Sequence, residues 1–311
     1  VTRAGILVEQ NWNAVPGGTA RSINRLIVAL SAYTDVSTVG IHGRHRQPPQ
    51  LPLATGIKTV TVPLPGRILA ETWSRVRFPS IDRWVEADVV HAPAYVLPPT
   101  QKPLVATIHD LAFVHHPEWF TPNGVAYLSR FLERVRRSDA AVIVPSGATA
   151  QDCVAKGISA ERVTVIPWGI DVEAAADSEV ERVRRRYSLP ESFVLFVGTV
   201  EPRKNLHTLA DAMATLPGHG HFEGFGLPVL EAMAQGTPVV TTQGTAPAEI
   251  AASGGLAVDT RSVSALAGAL RDLMSDAAQR SELGAAGRIR AGEYLWQETA
   301  RRTANVYEAV R

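Results

Sequence analysis

With 311 residues, 45% of them apolar and 20% charged, the chain has a globular rather than disordered composition and room for about two domains. Its one cysteine, Cys153, excludes an internal disulfide and a cysteine-rich zinc site, and no apolar run approaches the roughly 18 residues of a membrane span. Residues 1–170 hold 17 Lys and Arg against 12 Asp and Glu, a net of +5, and residues 171–311 hold 14 against 18, a net of −4.

This charge pattern lacks the clustering of a nucleic-acid binder, so no nucleic acid is expected as a partner. The opening stretch has too few apolar residues for a secretory signal. The expectation is a soluble, cytoplasmic protein. Its mildly basic front half favours peripheral contact with the inner membrane surface, although ordinary drift in arginine content explains the asymmetry equally well.

In chain order, residues 5–8 read as a strand and Pro16-Gly17-Gly18 as a turn. Residues 21–32 have helical period, with Ile23, Leu26, Ile27 and Leu30 on one face. Strands follow at 37–41, 58–62, 88–91, 104–109, 140–144 and 163–166, with helices between several of them, notably 125–137 and 149–156. Such alternation predicts an α/β architecture with a parallel sheet covered on both faces. A loop and a charged helix lie between the halves, around 169–178, and 182–187 is helical. The run at 193–198 reads as a buried strand and 205–216 as a helix. A short helix at 229–234 leads to strands at 238–242 and 255–258, then to helices at 263–274, 277–292 and 297–310.

Ligands in open α/β sheets bind beyond the carboxyl ends of the strands. Several segments there carry chemistry. Pro16-Gly17-Gly18-Thr19 opens a helix, where glycines allow close approach and free N–H groups favour an anion; a plain turn is the competing reading. His109-Asp110 follows a middle strand. Arg203 and Lys204 sit between a strand and a helix start, a setting for a diphosphate, against the alternative of a solvated charge cluster. The strongest segment is 222–232. Gly224 and Gly226 can expose backbone N–H groups, while Glu223 and Glu231 bracket the turn and can accept from two sets of sugar hydroxyls. Its Phe-Glu-Gly-Phe-Gly-Leu-Pro start is too apolar for a solvent loop. His115-His116 and His219-Gly220-His221 lack partners at ligand spacing, so no metal site is expected. The front-half tryptophans, Trp12, Trp73, Trp84 and Trp119, are read as core or loop packing rather than an acceptor groove.

These residues resemble a family. Glu201-Pro202-Arg203-Lys204-Asn205, followed by Glu223-Gly224-Phe225-Gly226-Leu227-Pro228 and Glu231-Ala232-Met233-Ala234, is similar to the donor half of family-4 retaining glycosyltransferases of the GT-B fold. In the front half, Gly17-Gly18, Ile108-His109-Asp110, Pro145-Ser146 and Pro167-Trp168-Gly169 agree. The run His109-Asp110-Leu111 with Pro117-Glu118 resembles the mannosyltransferase branch.

The resemblance implies two Rossmann-like domains facing a central cleft. Residues 1–172 would form the acceptor side and 173–296 the donor side, with the final helix, 297–311, packing back on the first. It implies that Arg203 and Lys204 hold the donor diphosphate and neutralise the leaving group. Glu223 would bind the donor sugar, Gly224, Phe225, Gly226 and Leu227 would offer N–H groups, and Glu231 would bind the ribose. His109 would lie beside the reacting sugar, and Gly17 and Gly18 beside the donor phosphate and acceptor. It further implies no metal and no cofactor besides the substrate, GDP-mannose before a UDP-sugar, and a glycan, lipid-linked or small-molecule acceptor, as in polysaccharide biosynthesis. A non-catalytic relative acting as a scaffold and a sugar-nucleotide epimerase are the competing functions.

One departure stands out. The family places several strands and helices between the Arg-Lys helix and the Glu-x7-Glu segment, where this chain has only residues 216–221. The second domain is therefore expected to be short. A true deletion, an engineered shortening and a segment left out of the structure compete, the last being favoured.

Overall fold

The computed structural model describes residues 1–173, 175–190, 193–197, 208–209 and 226–311. They form two compact units, Val1–Gly169 with Trp296–Arg311, and Ile170–Leu295.

The first unit is built on seven strands: β1 (Thr2–Leu7), β2 (Val36–Arg44), β3 (Lys58–Pro65), β4 (Val89–Ala92), β5 (Leu104–Thr107), β6 (Ala141–Val144) and β7 (Val163–Val165). They are ordered β3-β2-β1-β4-β5-β6-β7, and every neighbouring pair is parallel. All seven lie where apolar runs predict them. The central runs are apolar throughout rather than alternating because a parallel sheet is buried on both faces; all four residues of β4 are buried.

Helices α1 (Gly17–Tyr33), α2 (Gly66–Arg75), α3 (Ala112–His115), α4 (Pro122–Arg137) and α5 (Gly147–Ala155) connect the strands. The sequence reading passes over α2, whose apolar face is only Leu69 and Trp73 at i, i+4. Those two close one core with Leu7, Ile41, Val62 and Val90. Phe131 and Val135 of α4 close another with Ala106, Ile108, Val142 and Val144.

The second unit contains α6 (Asp177–Tyr187), α7 (Leu227–Ala234), β8 (Val239–Thr242), α8 (Ala246–Ala251), β9 (Gly255–Val258), α9 (Val263–Ser275) and α10 (Ala277–Ala291). β8 and β9 form a parallel pair. The strand expected over 193–198 is corrected. Residues 193–197 pair with no strand among the described residues, and their exposure alternates, with Leu195 72% exposed. Val194 packs against the cluster of Leu266 and Leu270. Apolar character alone cannot distinguish a strand buried on both faces from an extended segment resting one face on a helix. Of the helix expected over 205–216, only 208–209 are described, and both are helical.

The last helix, α11 (Trp296–Val310), belongs to the first unit and lies along α1 and against β1, β5 and β6. Thr299 Oγ1 donates to the Pro167 carbonyl at 2.8 Å, Arg302 to the Val165 carbonyl at 2.6 Å, and Arg311 to Thr2 Oγ1 at 2.8 Å. Its anchor is Tyr307, fully buried, whose hydroxyl lies 2.7 Å from Nδ1 of His91 on β4. Nε2 of the same ring lies 2.8 Å from Thr107 Oγ1 on β5. Burial, reinforced by nearby His109, pushes the His91 pKa down to about 3, so the ring is neutral and bridges helix and sheet through both nitrogens.

Candidate active site

In the first unit, the site residues expected from sequence stand at the carboxyl edge of the sheet. His109 follows β5. Its Nε2 lies 2.7 Å from the Pro93 carbonyl, beyond the end of β4. A carbonyl only accepts, so Nε2 carries the proton and Nδ1 is left as an acceptor. Burial lowers the His109 pKa, opposed by the Pro93 hydrogen bond and by Asp110, which keeps the ring neutral at physiological pH. The ring sits 5.6 Å from Trp168, itself nearly buried after β7, and 6.0 Å edge-on from Tyr95. Asp110 accepts from the Ala112 N–H at 3.0 Å and shapes the loop that carries His109.

Gly17 and Gly18 follow β1 at the same edge and are exposed. Gly17 has φ +64°, and a side chain there would meet nothing within 4 Å. The loop before it is held by Asn11, whose Nδ2 donates to Asn24 Oδ1 at 3.1 Å and to the Leu51 carbonyl at 3.0 Å. Asn11, Tyr95 and Pro93 all shape this edge, and none has a sequence signal that separates it from ordinary loop residues.

In the second unit, Gly226 is the residue before α7, with φ +99° and Pro247 of α8 at 3.2 Å from where its Cβ would be. Leu227 is the first residue of α7, and Glu231 lies one turn further on, on the exposed side. Arg203, Lys204, Glu223, Gly224 and Phe225 lie outside the described residues, as does the 216–222 junction. A second glycine turn follows β8, with Gly244 at φ +73° and Thr245 Oγ1 donating to the Thr242 carbonyl at 2.6 Å; the sequence reading passes over it. The paired histidines have other roles. His115 faces Asp152 at 2.9 Å, and His116 stacks on Trp119 at 3.8 Å and pairs with Glu118 at 3.0 Å. His219 and His221 lie outside the described residues.

The helix starts divide into two kinds. α4, α5, α9 and α10 are capped by the side chains of Thr121, Ser146, Ser262 and Asp276. α3 receives Asp110. α6, α8 and α11 carry Asp177 and Glu179, Glu249, and Glu298 in their first turns. α2 begins at Gly66 against the Glu9 carboxylate, which also accepts from Gly43 N at 2.8 Å and faces His45 at 2.9 Å. Among the described helices, only α1 and α7 begin on a glycine turn with neither a side-chain cap nor an acid nearby in their first turn. Orphan N–H groups and the positive dipole end at such a start are a setting that suits an anion.

A family model described as Glycosyltransferase Family 4 matches residues 16–174, just over half of the chain. The chain belongs to Glycosyltransferase Family 4. A second model, Glycosyl transferases group 1, matches residues 158–276. Among curated relatives, the family-4 chain is 23% identical to O-antigen chain mannosyltransferase B of Escherichia coli, over 75% of this chain and 78% of that one. It is 26% identical to glycogen synthase of Mycobacterium tuberculosis, over 97% of this chain and 94% of the relative. Among solved structures, sucrose-phosphate synthase from Thermosynechococcus elongatus superposes with a TM-score of 0.75 at 19% identity, covering 99% of both chains.

This family-4 member is therefore a glycosyltransferase with the GT-B fold. Its alignment with glycogen synthase runs over 402 positions, 91 more than the 311 residues of the chain. No helix among the described residues is long and apolar enough to cross a membrane.

Proposed function

We propose that this glycosyltransferase moves a hexose, mannose before glucose, from a nucleotide-diphosphate sugar to a glycan or lipid-linked acceptor with retention of anomeric configuration. The observation that carries the reading is the pair of helix starts at α1 and α7, each on a glycine turn with no side-chain cap among the described residues, in a chain whose other described helix starts carry a side-chain cap or a nearby acid. Such starts suit the phosphates of a donor. The mannose preference rests on the E. coli mannosyltransferase relative and on the residues around His109.

In this reading Arg203 and Lys204 neutralise the charge that builds on the leaving phosphate, and the electrostatic gain is largest in the transition state. Gly224, Phe225, Gly226 and Leu227 offer N–H groups to the donor, Glu223 holds the donor sugar, and Glu231 accepts from the ribose hydroxyls. His109 Nδ1 accepts from a sugar hydroxyl beside the reacting carbon. Gly17 and Gly18 leave room for the donor phosphate and the acceptor. The leaving phosphate takes the acceptor proton as the new glycosidic bond forms. No protein nucleophile, metal or cofactor besides the donor is invoked. The basic first unit is the side that would meet an anionic membrane surface.

Thermal stabilisation by GDP-mannose, UDP-sugars and the free nucleotides tests the donor. A ligand at 100 times its Kd adds about 2.7 kcal/mol. Product analysis then separates a new glycosidic bond from an epimerised sugar nucleotide. No stabilisation by any nucleotide or nucleotide sugar would overturn the reading in favour of a non-catalytic member.

A further inference from the structure

The first unit carries a surface feature that the proposed chemistry does not use. Between the end of α2 and the buried Pro79, residues 75–78 are all exposed, with Val76 at 65% and Phe78 at 68%. Arg77 stands between them in the left-handed region at φ +55°, a conformation that a long side chain adopts only where its surroundings enforce it. Here it turns two large apolar side chains to solvent, although the core clusters of this unit lie close by.

Two further arginines lie at the base of this tip. Arg130 of α4 donates to Ser74 Oγ at 3.0 Å, and Arg134 donates to the Trp73 carbonyl, so α4 is stitched to α2 beneath the tip. Burial, helped by nearby Arg77 and Arg130, lowers the Arg134 pKa. The nearby acids are committed elsewhere, Glu71 to Arg75 and Glu133 to Arg136 and Arg137. Arg77, Arg130 and Arg134 have no carboxylate partner among the described residues. Stitching two helices accounts for Arg130 and Arg134, but not for the exposed valine and phenylalanine that flank Arg77. Exposed apolar side chains with an exposed arginine between them and further arginines at their base match the interface of an anionic bilayer, where apolar groups enter the headgroup layer and guanidinium groups meet phosphates.

We infer that the Val76-Arg77-Phe78 tip, with Arg130 and Arg134 behind it, is the element that docks this protein on an anionic phospholipid surface. This inference rests on the membrane contact proposed above and deepens it by naming the face. Crossover helices run antiparallel to the strands they connect. The carboxyl ends of α2 and α4 therefore lie at the amino edge of the sheet, away from His109 and Gly17. Substitutions in the tip can weaken docking without touching the donor site.

The test is flotation of the full chain with vesicles of phosphatidylcholine alone and of phosphatidylcholine with 30% phosphatidylglycerol (about a third anionic lipid, the composition that sets a surface potential). The wild type is expected to float with the anionic vesicles and to release as salt rises. Arg77→Gln should weaken binding about fivefold and the double variant with Phe78→Ser more than tenfold. Arg185→Gln, the same charge change on α6, should leave binding unchanged. Equal thermal stability and donor-induced stabilisation would confirm that the variants fold. Wild type that floats with neither vesicle overturns membrane contact itself. Wild type that binds while the double variant binds equally well overturns the face. A concentration-dependent dimer that Phe78→Ser dissociates would assign the tip to a second copy of the chain instead.

Discussion

The two units solve the same packing problem to different degrees. In the first, seven parallel strands bury a core in which Ile6, Val90, Val105 and Val142 have no exposed surface. In the second, the described sheet is one parallel pair, and its cluster residues Leu266 and Leu270 keep 7% and 9% of their surface exposed. Leu195 and Val197 of its opening segment are mostly exposed. A central strand of a wide sheet is covered by neighbours on both edges and helices on both faces, whereas a two-stranded sheet is all edge. Among the described residues the first unit is the better buried, and in the proposed function the donor groups lie in the second, so damage is expected to divide between them: activity from the second unit, stability from the first.

The largest effect that would sharpen this contrast is on activity. Lys204→Ala should lower kcat/KM by about 10²- to 10³-fold, since a preorganised charge on the leaving group is worth about 3–4 kcal/mol in the transition state. Its melting temperature should stay within a degree or two. Steady-state kinetics with the preferred donor checks this. Full activity with normal donor binding would return Arg203 and Lys204 to the status of surface charges.

Core truncation tests the packing half of the contrast. Ile143→Ala, in the wide sheet, should cost about 4 kcal/mol, and Leu270→Ala, in the looser cluster, about 2 kcal/mol. Urea unfolding monitored separately in each unit measures both. Equal losses would break the comparison.

The anchor of α11 gives the first unit a pH signature. His91 is neutral when folded, with a pKa near 3, and protonates at its ordinary 6.5 once unfolded. Its contribution is therefore complete above pH 6.5 and is lost as pH falls from there toward 3, by about 1.4 kcal/mol per unit. His91→Gln should be less stable at pH 7 yet lose less on acidification. Urea midpoints at pH 7, 5.5 and 4.5 would reveal it, and parallel pH curves for variant and wild type would assign the acid sensitivity elsewhere.

The smallest effect concerns one backbone angle. Gly226→Ala forces a Cβ into φ +99° and toward Pro247, a cost of about 1–2 kcal/mol. It should weaken donor-induced thermal stabilisation more than it lowers the melting temperature of the free protein. The reverse ordering would make the turn a structural feature alone.

Sequence by itself determined the order and nature of the elements in the first unit, because strands buried on both faces must be apolar throughout and their crossover helices must carry a 3.6-residue stripe. It also marked Gly17, Gly226 and His109, since a glycine turn after a strand and a polar residue at a strand's carboxyl end are local patterns. α2 escaped because two apolar residues make too short a stripe. The run at 193–198 misled because hydrophobicity records that a segment packs, not how many of its faces do. Tertiary structure alone decided what depends on residues far apart in the chain: the Glu9 carboxylate closing the start of α2, the proton on His109 Nε2 set by the Pro93 carbonyl, and the anchoring of α11 by Tyr307 on His91. Those contacts span up to 216 positions, and no local periodicity encodes a partner at that distance, because hydrogen bonds and burial are settled only when the sheet brings both ends together.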